Sequence, residues 1–180
     1  LSAICPEAFA RGFVRWVEAV AQKTTGEVIA IDGKTLRRSY EKDDPKAALH
    51  MLSAWACQQR LVLAQERVDE KSNEITAIPA LLEVLDLDGR CDIARCIVTL
   101  DAMGTQTEIA GHIREQQAHY VLALKGNQGT LHREVRAYFE EGRARRWRAM
   151  PVEYAETCDL GHGRKEVRRL WISTDIGWLP

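Results

Sequence analysis

No apolar run in the 180 residues approaches the roughly 20 needed to cross a bilayer, and the start carries no secretory-leader pattern. The expectation is a cytoplasmic protein with no membrane partner. Cysteine is sparse and unpatterned: Cys5, Cys57, Cys91, Cys96 and Cys158 include no Cys-x-x-Cys pair. That excludes the usual zinc frameworks and gives no sign of a disulfide scaffold, so free thiols are expected. Cys91 and Cys96 bracket the start of a predicted strand and read as small core residues. His112, His119, His132 and His162 show no metal-ligand spacing and read as structural or solvent-facing. Net charge is also nearly absent, at -1, so composition carries no global signature of a nucleic-acid binder. Internal repeats and low-complexity stretches are missing too.

What is present is the balance of a soluble globular chain, 46% apolar and 28% charged, long enough for one domain with a sizeable core. The chain begins with Leu1 and stops at Pro180 just after an apolar stretch, and both ends read as cuts in a longer protein. Charge does cluster locally. Arg133, Arg136, Arg143, Arg145, Arg146 and Arg148 crowd one region, and Arg164, Lys165, Arg168 and Arg169 another. Each cluster fits a solvated helix face or strand edge as well as a patch that faces DNA.

Periodicity gives the element order. Residues 6–23 form an amphipathic helix, with Phe9, Phe13, Val14, Trp16, Val17 and Val20 at roughly helical spacing. Glu27–Gly33 is a short apolar run rich in branched residues and ending in Asp32–Gly33, a buried strand entering a tight turn. After a polar loop at 41–46, His50–Gln58 and Leu61–Val68 form a hairpin around Gln59–Arg60. Lys71–Leu87 is a helix capped by Ser72 or Asn73, with Ile75, Ile78, Leu81, Leu82 and Leu85 as its buried stripe. A strand follows at Cys96–Asp101, then a helix at Thr105–Gln117 with Thr105 near its cap, a strand at His119–Leu124 and a helix at Thr130–Glu141. Tyr154–Leu160 and Val167–Ser173 pair across Gly161–Gly163. The pattern β-β-β-α-β-α-β-α, with an additional β pair near the C-terminus, gives an α/β fold with a mixed sheet and helices on its faces.

Two acids sit alike: Asp32 after VIAI and Asp101 after IVTL. A carboxylate inside an apolar sheet is expensive unless paired or metal-bound, whereas at a strand end it can face a cleft. If their strands are neighbours, the two converge. Magnesium takes hard oxygen ligands, commonly one or two carboxylates with substrate phosphate oxygens and water. Two such ions about 3.5–4 Å apart can activate a nucleophile and stabilise a leaving oxygen. Either acid alone also fits a turn residue or a helix cap.

Four blocks carry a resemblance. VIAIDGKTLRRSY (28–40), HMLSAWACQQRLVLAQERVDEKSNEITAIPALLEVLDL (50–87), CIVTLDAMGTQ (96–106) and HYVLALKGNQ (119–128) together resemble the DDE transposases of bacterial insertion sequences, in the branch of the H-repeat-associated proteins. The blocks occur in the family's order and span nearly the whole chain. The resemblance implies a ribonuclease H-like fold whose first acid matches Asp32 and whose second matches Asp101. It implies residues 1–26 as a helical lead-in and 27–180 as the catalytic core, truncated before its final helix. The implied reaction is DNA strand cleavage and strand transfer with Mg²⁺ or Mn²⁺ in a two-metal site. The implied partners are the element's terminal repeats, target DNA and a second copy of the chain on paired ends. Lys34, Arg37 and Arg38 then fit phosphate-holding roles, and Lys125, Asn127 and Gln128 fit contacts to DNA backbone or bases. Each of these six equally fits an exposed turn.

The chain departs from the family in one respect. A third acid, a glutamate on a later helix, belongs to a Trp-x-Ile-Glu-Asn-type motif in this branch, and no such stretch occurs here. Its expected place is beyond Pro180. Glu166 is the nearest substitute but lies in a predicted strand; Glu134 lies on a helix where the family does not place its acid. Two other functions stay open: a remnant that at most binds DNA, and a metal-dependent nuclease or resolvase of the same fold.

Overall fold

The structure is a computed structural model describing residues 5–20, 26–36, 50–68, 74–87, 93–148, 150–161 and 163–179. The chain divides into two compact units, Leu1–Leu124 and Lys125–Pro180. The first runs α1 (Pro6–Val20), β1 (Val28–Thr35), β2 (His50–Ala56), β3 (Leu61–Val68), α2 (Glu74–Leu87), β4 (Ile97–Leu100), α3 (Thr107–Glu115) and β5 (His119–Leu122). The second holds α4 (Gly129–Ala144), β6 (Val152–Gly161) and β7 (Arg164–Ser173).

The first unit is built on a five-stranded sheet in the order β3-β2-β1-β4-β5. The β1–β2 and β2–β3 pairs are antiparallel, as a meander requires, and β1–β4 and β4–β5 are parallel across helical crossovers. This is the ribonuclease H-like mixed sheet expected from the sequence. Helix α2 packs on β2 and β3, α3 on β5 and α2, and α1 on β3. One core joins them, with Ile29, Ile31, Leu52, Val98 and Leu100 from the sheet meeting Ile78, Leu81, Leu82, Leu85, Ile109 and Ile113 from the helices. Each fully buried Leu or Ile contributes on the order of 1.5–3 kcal/mol. Such packing offsets the cost of Pro79 inside α2, which removes a helical hydrogen bond and costs about 3 kcal/mol.

Two expectations need correction. The strand carrying Asp32 does not turn at Gly33; it continues to Thr35, because β2 supplies partners for Asp32 through Thr35 (Ser53, Leu52, Met51 and His50). Thr105 stands near the cap of α3 as expected, directly before the N-cap Gln106, which makes no side-chain cap bond. The apolar stripe of α1 is only partly buried, since Val17 enters the core while Phe9 and Trp16 stay exposed. Cys96 is buried, as a small core residue should be, and Cys5, Cys57 and Cys158 are exposed. Arg37, Arg38, Ser72, Asn73, Cys91, His162 and the 41–46 loop lie outside the described residues.

The second unit pairs β6 with β7 from Val152–Ser173 to Gly161–Arg164 in a sheet of its own. An aromatic cluster holds it together. Tyr138 stacks on Trp178 with centroids 4.5 Å apart, Phe139 meets Trp147 edge-on at 6.1 Å, and Trp147 stacks on Trp171 at 5.9 Å. No helix among the described residues is long and apolar enough to cross a membrane.

Candidate active site

Asp32 and Asp101 are brought together by strand register. β1 and β4 are parallel neighbours with Val28 opposite Ile97, Ile29 opposite Val98 and Ala30 opposite Thr99. Two residues further along each strand stand Asp32 and Asp101, so the register carries them to adjacent positions on strands about 4.8 Å apart. Alternation fixes the face. Ile29, Ile31, Val98 and Leu100 point into the core, which leaves Ala30, Asp32 and Thr99 on the other face. Asp32 and Asp101 are both exposed. β4 stops at Leu100 while β1 runs on against β2, so the side of β1 facing β4 opens where Asp32 stands.

A short turn holds Asp101. Its Oδ1 accepts the backbone N–H of Met103 at 2.9 Å and of Gly104 at 3.4 Å. This is the local side-chain-to-backbone bonding typical of aspartate after a strand. It commits one carboxylate oxygen to the turn and leaves Oδ2 for other ligands. The Thr105 hydroxyl lies 2.7 Å from the Ala123 carbonyl oxygen and 3.1 Å from that of Asp101, tying the ends of β4 and β5. The Ala123 N–H reaches the Leu100 carbonyl at 3.1 Å and continues the same tie. Space at Gly104 is tight: a Cβ there would sit 3.0 Å from Ile78 Cδ1 and 3.2 Å from Leu100 Cβ.

The surroundings of Asp32 are polar and open. Lys34, two residues on and so on the same face, places Nζ 3.9 Å from Asp32 Oδ2, with both side chains largely exposed. An ion pair of this kind is worth about 0–1 kcal/mol and yields readily to a stronger partner. Ser53, the β2 partner of Asp32, accepts the Gln65 side-chain amide at 2.9 Å. Among the described residues no group of three or more His, Cys, Asp or Glu could hold a metal ion.

The other sequence candidates fall elsewhere. Lys125, Asn127 and Gln128 open the second unit before α4, where the Gln128 N–H bonds the Lys125 carbonyl at 3.0 Å. Glu166 lies on β7 and takes two bonds of 3.0 Å from Arg168. Glu134 is half-buried on α4. Glu27 went unnoticed in the sequence. It is the one buried charged side chain among the described residues, accepting the Gln58 N–H at 2.7 Å and the Gln59 amide at 3.1 Å, and so anchors the β2–β3 turn to the start of β1. Only its place beside a buried strand start could have signalled it.

The profile of the transposase DDE domain matches residues 23–170. The chain belongs to the DDE transposase domain family. Among relatives of this transposase domain, the Xanthobacter autotrophicus protein named "Uncharacterized protein in dhlA 3'region" is 45% identical over 181 residues, covering 99% of this chain and 57% of that protein. The Escherichia coli K12 protein named "H repeat-associated putative transposase YhhI" is 40% identical over 176 residues, covering 98% of this chain and 44% of that one. The chain thus spans about half the length of these relatives. Among solved structures, the piggyBac transposase synaptic complex with hairpin DNA matches with a TM-score of 0.43 at 16% identity, over 73% of this chain and 29% of that chain.

Proposed function

We propose that this transposase domain supplies two of the carboxylates for metal-dependent DNA strand cleavage and strand transfer in insertion-sequence transposition. The observation that supports the reading is the β1–β4 register, which runs as far as Ala30–Thr99 and leads, two residues on, to Asp32 and Asp101 on neighbouring strands. The donor set suits Mg²⁺ or Mn²⁺: two hard carboxylates, exposed to solvent and open to phosphate oxygens and water. When bound, such ions lower the pKa of a water or 3′-hydroxyl nucleophile and stabilise the leaving oxygen.

This chain's own groups then have distinct tasks. Asp101 offers Oδ2, because Met103 and Gly104 hold Oδ1. Asp32 offers its carboxylate once Lys34 swings away, and the released ammonium meets a DNA phosphate. Arg37 and Arg38 join Lys34 in holding phosphates, and Lys125, Asn127 and Gln128 contact DNA backbone or bases. The partners are the element's terminal repeats and target DNA, with two copies of the protein on paired ends, in the cytoplasm at the nucleoid.

The test is cleavage of duplex oligonucleotides that carry the terminal repeats, with Mg²⁺, with Mn²⁺ and with chelator. Cleavage is expected only with metal, and Asp32→Asn or Asp101→Asn abolishes it. Undiminished cleavage by either variant refutes the assignment. Calorimetric titration of the chain with Mn²⁺ reads the site without activity: weak binding is expected, and each Asn variant abolishes it. Because no third acid joins the pair among the described residues, a second reading stands beside the first: DNA binding without cutting. Metal-independent duplex binding with no cleavage under any condition would select it.

A further inference from the structure

The first of the two arginine clusters contains RARRWR at 143–148, and the structure separates its members by what they touch. Arg136 bonds Glu140 at 2.7 Å and Arg145 bonds Glu141 at 2.7 Å, both one helical turn apart. Arg143 lies over the Trp171 ring, 5.3 Å from its centroid. Those three charges are occupied within the unit. Arg146 and Arg148 are exposed and have no ion-pair partner among the described residues.

Their backbone is unusual. Arg146 and Trp147 stand at φ of 52° and 60°, two consecutive non-glycine residues in the left-handed region. Side chains with a Cβ resist that conformation, and it persists where the surroundings over-determine it. Here Trp147 does so. Its ring stacks on Trp171 at 5.9 Å and meets Phe139 at 6.1 Å. It fills the space that a Cβ on Gly142 would take, and its N–H bonds the Gly142 carbonyl at 2.7 Å. The inward-locked Trp147 leaves its neighbours on either side turned to solvent. Further bonds fix the turn, from Arg146 N–H to the Arg143 carbonyl at 3.1 Å and from Arg148 N–H to the Arg145 carbonyl at 3.2 Å.

The unit as a whole is the positive part of the chain. Lys125–Pro180 holds eleven basic and eight acidic side chains, whereas the whole chain holds 25 and 26. The near-neutral composition therefore conceals a division of charge between the units.

We propose that the Arg145–Arg148 turn is a preorganised contact for the backbone of duplex DNA, in which Arg146 and Arg148 each neutralise a phosphate and Trp147 acts as the positioning residue. The inference rests on the reading of the chain as a DNA-processing domain, and it adds a surface remote in sequence from Asp32 and Asp101. A guanidinium matches phosphate with two parallel N–H donors, and one held by a fixed backbone loses less freedom on binding.

The experiment is fluorescence anisotropy of a labelled duplex across a salt series, with chelator present so that metal sites play no part. Losing two phosphate contacts lowers the slope of log K against log salt by about 1.8, since each is worth about 0.9. Arg146→Gln with Arg148→Gln should show that loss equally on unrelated sequences. Arg146→Lys with Arg148→Lys should keep the wild-type slope, because the charge count is preserved. Far-UV circular dichroism checks that the Gln pair stays folded; should it unfold, the Lys pair decides, and a slope lowered by about 1.8 in that folded variant refutes charge neutralisation at this turn. A wild-type slope in the folded Gln variant overturns the proposal and leaves the Asp32–Asp101 reading standing. Absence of duplex binding by the wild type overturns both. Selective loss of binding to vesicles of anionic lipid, with duplex binding intact, would make the turn a membrane contact and also overturn it.

Discussion

Replacing Thr105 by valine tests how the turn under Asp101 is held. Valine matches threonine in shape, so no cavity opens and the change removes only the hydroxyl. That hydroxyl lies 2.7 Å from the Ala123 carbonyl and 3.1 Å from the Asp101 carbonyl, and one proton serves both. A made hydrogen bond contributes about 0.5–1.5 kcal/mol, and an acceptor left partly buried without a partner costs about 1–3 kcal/mol. The Ala123 bond is part-buried and the Asp101 bond exposed, so an intermediate loss of about 1.5 kcal/mol is expected, nearly all from Ala123. At about 2–4 °C per kcal/mol for a chain of this size, the melting transition of the first unit falls by about 3–6 °C. Thermal unfolding followed by circular dichroism measures this, and Thr105→Ser, which keeps the hydroxyl, should recover most of it. Calorimetry on the same variants should show weaker Mn²⁺ binding for valine than for serine, because the loop that aims Asp101 loses its tie to β5. A valine variant as stable as the wild type, or a serine variant as destabilised as the valine one, refutes the reasoning.

Gly104→Ala should destabilise the first unit by no more than about 1 kcal/mol in urea unfolding, because Ile78 and Leu100 need give way to the new Cβ by only a few tenths of an ångström. Glu27→Ala should cost about 2–3 kcal/mol by the same measurement, since it strips a short backbone bond from Gln58 and a side-chain bond from Gln59 at a buried site. The β6–β7 hairpin should respond to pH at both ends of the scale. The Tyr154 hydroxyl, 2.5 Å away, and then Arg169 hold the Glu156 carboxyl below its ordinary range, so its contribution is complete above that range and fades as pH falls through the depressed value. The bond to Glu156 pushes the Tyr154 phenol up, so its contribution is complete below the ordinary tyrosine pKa and fades as pH rises through the raised value. Near-UV circular dichroism should be flat between those limits, and Glu156→Gln should remove the acid-side change.

The sequence by itself determined the order of elements and singled out the two aspartates proposed for the site. Branched runs such as VIAI and IVTL announce buried strands, and Ile78, Leu81, Leu82 and Leu85 announce the inner face of a helix, because local periodicity and burial share a cause. It could not say that the strands of Asp32 and Asp101 are neighbours. That depends on β4 choosing the open edge of β1, a pairing made between segments distant in sequence. The same limit explains the misread residues. Asp32–Gly33 has the composition of a turn, but β2 lies alongside and supplies hydrogen bonds that keep the strand extended to Thr35. Glu27 looks like a solvent-facing start of a strand, yet the folded hairpin closes over it. Of the arginines at 133–148, helical spacing alone pairs Arg136 with Glu140 and Arg145 with Glu141, whereas only the tertiary contact with Trp171 occupies Arg143. Local propensity is written residue by residue; partnership across the chain exists only once the chain has folded.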